Sequence, residues 1–340
     1  MKKIFINIPH KKYPVFVGHQ SVFSNLNHFL KDITPQKNLI FITSPPVEKL
    51  FWKKIKSSFK KEWTISKIVV SDAERHKTLK SVNTLISKLL KLGADRETIL
   101  VAVGGGIIGD LAGFAASIYM RGLSYVIIPT TLLSSIDSSI GGKCGVNLPS
   151  GKNLIGSFHQ PKAVFTDTSL LETLPPCEWR SGFAEVIKYA IINGGKLWSL
   201  LERHRMLDFQ RSPESLQTLI LECLKIKRKF IEKDERDHGD RKLLNLGHTM
   251  AHALEALSAY KKLSHGEAVA QGLYFATDLS VQKKLCSPKT AQKIYDLMEK
   301  YSFYRQAIPK RVFSFTKNDK KRIGSHLEWI LIKEIGQCCY

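Results

Sequence analysis

One stretch of the sequence, residues 98–129, constrains the fold more than any other. Its first part, 98–103, is a continuous apolar run, which is typical of a buried parallel strand. Three glycines follow at 104–106, then a helical pattern up to Met120, and then a second apolar run, SYVIIP. Strand, glycine turn, helix and strand in this order predict a βαβ unit and therefore a parallel sheet.

The first 93 residues add further elements to this sheet. Four short apolar runs between polar breaks, IFINI, YPVFVG, NLIFIT and SKIVV, indicate strands. The spacing of Ser71 and Glu74 predicts a capping box that opens a helix, and Gly93 is a suitable C-terminal stop. The apolar stripe predicted for this helix consists of Leu79, Val82, Leu85, Ile86, Leu89 and Leu90.

The character of the sequence changes after Pro175 and Pro176. From there to about residue 305 the patterns are helical and strand signals largely vanish. One predicted helix runs through LLNLGHTMAHALEAL and places Asn245 one turn before His248. We therefore predict an α/β domain over residues 1–176, followed by a helical domain over residues 177–340.

Charge and composition narrow the class of protein. The chain has 52 Lys and Arg against 30 Asp and Glu, a net charge of +22, which favours anionic partners such as nucleic acid, acidic lipid or phosphorylated metabolites. The basic residues are spread along the chain, without the concentrated basic helix or aromatic platform of a nucleic-acid binder. No apolar run is long enough for a membrane span or a signal peptide, and none of the six cysteines forms a CxxC pair. The expectation is a cytoplasmic protein with reduced thiols.

Two segments could bind anions. Gly104, Gly106 and Gly109 match the GxGxxG pattern, in which glycines let backbone N–H groups approach a pyrophosphate at a helix N-terminus. The acid expected about 20 residues later is missing, so the segment is either a variant nucleotide site or only a tight turn. Residues 134–153, SSIDSSIGGKCGVNLPSGKN, combine serines, glycines and lysines, and indicate either an anion cradle or a polar loop.

Histidines define a possible metal site. His248 and His252 lie four residues apart and face one side of a helix. The segment HTMAH has Thr249 where the HExxH metalloproteases have their general base, which disfavours that class. Glu185 and His265 lie elsewhere in the chain. One carboxylate and two imidazoles suit a divalent metal with an open coordination position, although any one of these histidines alone is more often a structural residue.

Longer motifs carry a resemblance to a known family. They are GGGIIGDLAGFAASIYMRG, VIIPTTLLSSIDSSIGGKCGVNLPSGKNLIGSFHQPKAV, LETLPPCEWRSGFAEVIKYAII, RKLLNLGHTMAHALEA and LSHGEAVAQGL. From about Asp72 to Gly272 the sequence resembles 3-dehydroquinate synthases, members of the sugar phosphate cyclase superfamily. The resemblance implies a Rossmann-like NAD-binding α/β domain, an all-helical metal- and substrate-binding domain, and an active site in the cleft between them.

The resemblance also implies a reaction. The family converts 3-deoxy-D-arabino-heptulosonate 7-phosphate into 3-dehydroquinate and phosphate, in the shikimate pathway. It does so by transient NAD-dependent oxidation, phosphate elimination, re-reduction and aldol closure, with one divalent metal, zinc or cobalt. The alternative is another sugar phosphate cyclase acting on a different heptulose phosphate or on glucose 6-phosphate. A metal-dependent polyol dehydrogenase is disfavoured, because it would need no phosphate cradle.

Motif by motif, the resemblance assigns roles to residues of this chain. The metal ligands are Glu185, His248 and His265. The catalytic residues are Lys188, Asp137, Glu185 and His252. The cofactor-binding residues are Asp72, Glu74, Lys77, Gly106, Ile107, Ile108, Gly109, Asp110, Thr130, Thr131, Lys143, Lys152, Leu170 and Thr173. The substrate-binding residues are Arg121, Lys143, Asn153, Lys227, Arg241, Asn245, His252 and either Lys320 or Lys321. Arg121 would reach the site of a neighbouring subunit, which implies a homodimer.

Overall fold

A computed structural model describes residues 1–34, 36–149, 151–258, 263–316, 322–323 and 326–340. Within it the chain forms two compact units, Met1–Leu174 and Pro175–Tyr340. Lys320 and Lys321, one of which was expected to bind substrate, lie outside the described residues.

The first unit is an α/β structure, as the sequence predicts. Its strands are β1 (Lys2–Ile8), β2 (Lys11–Gly18), β3 (Asn38–Thr43), β4 (Thr64–Val69), β5 (Ile99–Gly104), β6 (Tyr125–Pro129), β7 (Lys143–Leu148), β8 (Gly151–Phe158) and β9 (Ala163–Asp167). Its α-helices are α1 (Val22–Ile33), α2 (Pro45–Ser57), α3 (Leu79–Lys91) and α4 (Gly106–Ile118). The four apolar runs before residue 71 correspond to β1, β2, β3 and β4, and only Val70 of the last run lies outside its strand.

Seven of these strands form one sheet in the order β1-β2-β9-β6-β5-β3-β4. Strand β1 pairs with β2 in antiparallel fashion, and the other neighbours are parallel. All residues of β5, β6 and β9 are buried, as expected for strands covered on both faces. The predicted βαβ unit, β5-α4-β6, is confirmed at the centre of this sheet.

One hydrophobic core cluster of the first unit packs α1 against the sheet. It includes Leu26, Phe41, Val101 and Phe165, each less than 1 % exposed. Phe16 stacks on Phe165 with ring centroids 4.7 Å apart. Phe29 of α1 contacts both rings edge-to-face, with centroid distances of 6.1 and 5.6 Å, and so packs the helix against strands β2 and β9.

The start of α3 differs from the prediction. The helix begins at Leu79, and the Thr78 side chain accepts the capping hydrogen bond from the Ser81 backbone N–H. The predicted capping box at Ser71 is therefore wrong, because Glu74 lies in a separate 3-10 turn, Glu74–His76, and is engaged by another side chain. The predicted apolar stripe was also too wide, since Leu79 is 44 % and Leu90 64 % exposed.

The described part of the serine- and glycine-rich segment, residues 134–149 and 151–153, forms regular structure. It begins with a π-helical turn, Ser134–Ser138, and continues into the antiparallel hairpin of β7 and β8. Gly156 is required in this hairpin, because a Cβ there would lie 2.2 Å from the carbonyl oxygen of Cys144. The sequence indicated polar character but not this close backbone approach.

The second unit is mainly helical. Its helices are α5 (Pro176–Asn193), α6 (Gly195–Arg203), α7 (Met206–Arg211), α8 (Pro213–Lys233), α9 (His248–Leu257), α10 (His265–Gln282), α11 (Pro288–Lys300) and α12 (Val312–Thr316). Two short hairpins follow, β10 (Arg322–Ile323) with β11 (His326–Leu327) and β12 (Leu331–Glu334) with β13 (Gln337–Cys339). The sequence patterns did not predict these hairpins. Among the described helices, none combines the length and the apolar character needed to cross a bilayer.

The predicted helix through LLNLGHTMAHALEAL is interrupted. Residues Asp240–Asn245 form a 3-10 turn, Gly247 adopts a left-handed conformation with φ of 78°, and α9 begins only at His248. The placement of Asn245 one helical turn before His248 is therefore wrong. A glycine at this break avoids the steric cost that a Cβ would impose at positive φ.

Asp167 joins the end of β9 to the start of α1. Its carboxylate accepts hydrogen bonds from the backbone N–H groups of Gln20, Ser21 and Val22 at 2.8, 2.7 and 2.8 Å. The Ser169 hydroxyl also donates to it at 2.7 Å. Burial raises the pKa of Asp167, but these hydrogen bonds outweigh burial and lower its pKa below the usual value.

We expect Asp167→Asn to lower the free energy of unfolding by about 2 kcal/mol at neutral pH, because an amide cannot accept all these hydrogen bonds. A carboxyl with a depressed pKa stabilises the fold above its unfolded pKa and loses this effect as pH falls. The difference from the parent chain should therefore shrink below a pH of about 4. Urea unfolding at several pH values measures it, with the exposed Asp32→Asn as control. A difference that stayed constant down to acid pH would contradict this role.

Candidate metal and nucleotide sites

The three predicted metal ligands meet in the second unit. Glu185 lies in the middle of α5, while His248 and His265 are the first residues of α9 and α10. One ligand atom from each lies within 4.8 Å of the other two. The Nε2 atoms of His248 and His265 lie 3.2 and 3.4 Å from Glu185 Oε1. Residues up to 80 positions apart in the chain are thus brought to one point.

Glycines allow the helices that carry these ligands to approach closely. A Cβ on Gly266 would lie 2.3 Å from the Ser181 Cα, one turn before Glu185 on α5. A Cβ on Gly272 would lie 2.0 Å from the carbonyl oxygen of Gly247, just before His248. Both distances are far below van der Waals contact, so glycine at these two positions sets the separation of the three ligands.

Both imidazoles are oriented by their second ring nitrogen. His248 Nδ1 lies 3.2 Å from the carbonyl oxygen of Leu246, to which an N–H donates. His265 Nδ1 lies 3.3 Å from Oε1 of Glu255, a residue that is 2 % exposed. With the proton on Nδ1, each ring presents the lone pair of Nε2 toward Glu185.

The donor set fits a divalent cation. Glu185 is fully buried, and among the described residues no donor is well aligned with either of its oxygens. Lys188, one turn along α5 and also buried, forms an ion pair with Glu185 Oε2. The His265 side chain is 32 % exposed, which leaves one side of the cluster accessible. One carboxylate and two neutral imidazoles are ligands that Zn²⁺ and Co²⁺ accept.

Local electrostatics favour the deprotonated, metal-binding form of Glu185 and His248, but not of His265. Burial raises the pKa of Glu185, but the charge of Lys188 and the contact with His248 outweigh it and hold the pKa well below its usual range. Desolvation lowers the pKa of His248, despite the nearby Glu185. Desolvation also acts on His265, but its close contact with Glu185 and its hydrogen bond with Glu255 raise its pKa to about 9. A cation bound here would take the place of that proton.

Other predicted residues of the second unit surround this cluster in part. The rings of His252 and His248 lie 5.7 Å apart in an edge-to-face arrangement. Arg241 is 2 % exposed, and its Nη1 donates to the carbonyl oxygen of Glu235 at 2.5 Å. Lys227 on α8 is 7 % exposed. Burying a cation costs free energy unless hydrogen bonds or an opposite charge compensate it. Buried cations of this kind are therefore suited to binding anionic groups.

In the first unit, a polar network links three predicted motifs. Lys77 pairs with Asp110 and donates to Asn153 Oδ1 at 2.5 Å. Asn147 Nδ2 donates to Glu74 Oε1 at 2.7 Å, and the Asn153 backbone N–H donates to Asn147 Oδ1 at 2.9 Å. The segment that carries Glu74 and Lys77, helix α4 and the β7–β8 hairpin are therefore held together. Sequence reasoning missed Asn147.

The other predicted cofactor and substrate residues of the first unit are less closely grouped. Leu170 and Ile108 are buried and pack into the protein. Asp72, Thr173, Lys143 and Arg121 are exposed. Arg121 has a φ of 67°, in the left-handed region. The remaining predicted positions, Gly106, Ile107, Gly109, Thr130, Thr131, Asp137 and Lys152, lie in or near α4 and the segments that follow β6 and β7.

Comparison with known proteins decides the family. Residues 67–181 match a family described as 3-dehydroquinate synthase N-terminal, and residues 182–322 one described as 3-dehydroquinate synthase C-terminal. A 3-dehydroquinate synthase of Leptospira interrogans is 38 % identical over 333 residues, which cover 97 % of this chain and 91 % of the relative. The chain belongs to the 3-dehydroquinate synthase family.

Solved structures of related cyclases share the fold of this chain. A 2-deoxy-scyllo-inosose synthase in complex with carbaglucose-6-phosphate, NAD⁺ and Co²⁺ is 28 % identical, with a TM-score of 0.89, and the match covers 100 % of this chain and 94 % of that one. A 2-epi-5-epi-valiolone synthase from Streptomyces hygroscopicus subsp. jinggangensis 5008, with NAD⁺ and Zn²⁺ bound, is 25 % identical, with a TM-score of 0.88 and coverage of 98 % and 93 %. The fold class predicted for this chain is confirmed, and so is its predicted function as a member of the 3-dehydroquinate synthase family. The chain is a lyase-type cyclase.

We expect Gly266→Ala in this family member to destabilise the fold by about 1–3 kcal/mol, because the new methyl group meets the backbone of Ser181. It should also weaken metal binding, since α10 carries His265 and must move away from α5. Thermal unfolding and a competition assay with a chelator measure the two effects. Gly109→Ala is the control, because its Cβ meets nothing within 4 Å and its stability should be unchanged or slightly higher. Parent-like stability and metal binding in Gly266→Ala would contradict the packing argument.

Proposed function

We propose that the chain converts 3-deoxy-D-arabino-heptulosonate 7-phosphate into 3-dehydroquinate and phosphate, with NAD as a recycled cofactor and one divalent metal. The observation that carries this proposal is the convergence of Glu185, His248 and His265 within 4.8 Å in a member of this family. These three residues would hold the metal, zinc or cobalt, on the second unit. The first unit would hold NAD.

The metal and Lys188 would act on the same substrate group. A bound divalent ion supplies Lewis-acid polarisation of a substrate hydroxyl. Lys188, buried beside Glu185, supplies a fixed ammonium that stabilises negative charge developing on that oxygen. The ion pair with Glu185 holds this ammonium in place. His252, whose ring lies near His248, would bind the substrate and exchange a proton with it.

Helix α4 and the polar network of the first unit support nucleotide binding. The helix begins at Gly106, and no side chain among the described residues caps it at Gly105, which leaves N–H groups for a pyrophosphate. Lys77 pairs with Asp110 near the start of α4, and Lys152 pairs with Glu74. Both ammonium groups therefore belong to the polar network at this turn. NAD bound there supplies the hydride acceptor and later returns the hydride.

Basic side chains suit the two anionic ends of the substrate. Lys227 and Arg241 are buried cations of the second unit, as Lys188 is, and Asn245 follows on the same turn as Arg241. Lys143, Lys152 and Asn153 would contribute from the β7–β8 hairpin, and Asp137 would face the hydroxyl groups. Arg121, exposed at a left-handed turn, would serve a neighbouring subunit in a homodimer. Homodimer formation and a cytoplasmic location remain predictions.

Purified protein with NAD and zinc should release phosphate from the heptulosonate phosphate without net accumulation of NADH. A chelator should abolish phosphate release, and added Zn²⁺ or Co²⁺ should restore it. Glu185→Gln should lose bound metal and turnover while its far-UV circular dichroism stays like that of the parent. Phosphate release from sedoheptulose 7-phosphate or glucose 6-phosphate, and not from the heptulosonate, would instead show a different sugar phosphate cyclase. Full activity of metal-free Glu185→Gln would overturn the ligand assignment.

Asn147→Ala tests the nucleotide site. The substitution removes the amide that links Glu74 to the Asn153 turn, so we expect the Kd for NAD to rise by about tenfold, equivalent to about 1.4 kcal/mol. Isothermal titration calorimetry measures it. Asn83→Ala, on the exposed side of α3, is the matched control. Unchanged NAD affinity in Asn147→Ala would show that this network is only structural.

A further inference from the structure

Glu255 is a buried carboxylate to which the family resemblance assigns no role. It lies in the last turn of α9, its side chain is 3 % exposed, and its Oε1 lies 3.3 Å from His265 Nδ1. Burial disfavours a charged carboxylate, and the negative end of the helix dipole in the last turn adds to this cost. A carboxylate that is buried at this unfavourable position therefore indicates a specific function.

The position of Glu255 on α9 places its carboxylate next to one of the predicted metal ligands. Glu255 is seven residues after His248 on the same helix, and seven residues are close to two helical turns. The side chains of both residues therefore point to the same side of α9, toward the start of α10. There the two nitrogens of His265 are divided between two carboxylates, with Nε2 at Glu185 and Nδ1 at Glu255.

We propose that Glu255 is a positioning residue that sets the tautomer and orientation of His265 for metal binding. The proposal rests on the proposed metal site. An ionised carboxylate can only accept a hydrogen bond, so it requires the proton of a neutral His265 to be on Nδ1 and leaves the Nε2 lone pair for the ion. Carboxylate–histidine pairs of this kind also increase the basicity of the ligand nitrogen.

The two histidines differ in how they are held. His248 is oriented by the backbone carbonyl of Leu246, a contact that no side-chain substitution removes. His265 depends on a side chain, and it is also the more exposed of the two, at 32 % against 12 %. Its orientation is therefore the one that can be lost by a single substitution.

Glu255→Gln is the most informative variant, because it keeps the size of the side chain but can either donate or accept. A glutamine that donates to Nδ1 places the proton on Nε2 and blocks coordination. We expect Zn²⁺ affinity, measured by competition with a chelator, to fall by about 10- to 100-fold. With Co²⁺ as probe, we expect altered visible absorption bands. Without added metal, the thermal unfolding of the variant should stay close to that of the parent.

Two comparisons make the result decisive. Glu299→Gln, an exposed acid on α11, should bind metal like the parent, and Glu185→Gln should lose it. Parent-like Zn²⁺ affinity and Co²⁺ spectrum in Glu255→Gln, with binding lost in Glu185→Gln, would overturn the role of Glu255 and leave the metal site intact. Retained binding in Glu185→Gln would instead remove the metal site itself, and the proposal with it.

Discussion

The second unit depends on the burial of one negative charge, the carboxylate of Glu185. Removing such a group from water costs on the order of several kcal/mol, even after the protein has relaxed around it. Lys188 offsets part of this cost through an ion pair, and two imidazole nitrogens approach from the other side. A cation bound between Glu185 and the two imidazoles would offset more of this cost. The site is therefore a place where the fold accepts an electrostatic cost whose compensation is completed by a ligand.

The helices can meet at this carboxylate only because two backbones approach without side chains between them. Gly266 faces Ser181, and Gly272 faces Gly247. Helix-to-helix packing with ordinary side chains would keep the axes about 8–10 Å apart. Closer approach at these glycines brings the first residues of α9 and α10 to the middle of α5. The lack of side chains at these glycines thus determines the distances between the three predicted metal ligands.

The sequence could predict features that depend on local pattern. Continuous apolar runs identified the strands, the glycine turn identified the βαβ unit, and the composition of residues 177–305 indicated helices. Features that depend on long-range contacts were missed. Glu74 was taken for a helix cap because the sequence does not show that Asn147 reaches it across the fold. The helix through Asn245 was wrong because the apolar pattern continues smoothly across Gly247, where the backbone turns left-handed.

Residues missed by sequence reasoning share one property: they act on other side chains rather than on a ligand. Asn147 connects two motifs, and Glu255 holds His265, but neither has a spacing that marks it in a single sequence. The ligands themselves stood out because imidazole and carboxylate groups are chemically distinctive. Their supporting residues are ordinary polar side chains whose role arises only from position. The reactive groups of a site can therefore be predicted from the chain more readily than the contacts that hold them in working geometry, and those contacts determine whether the groups bind a metal or a proton.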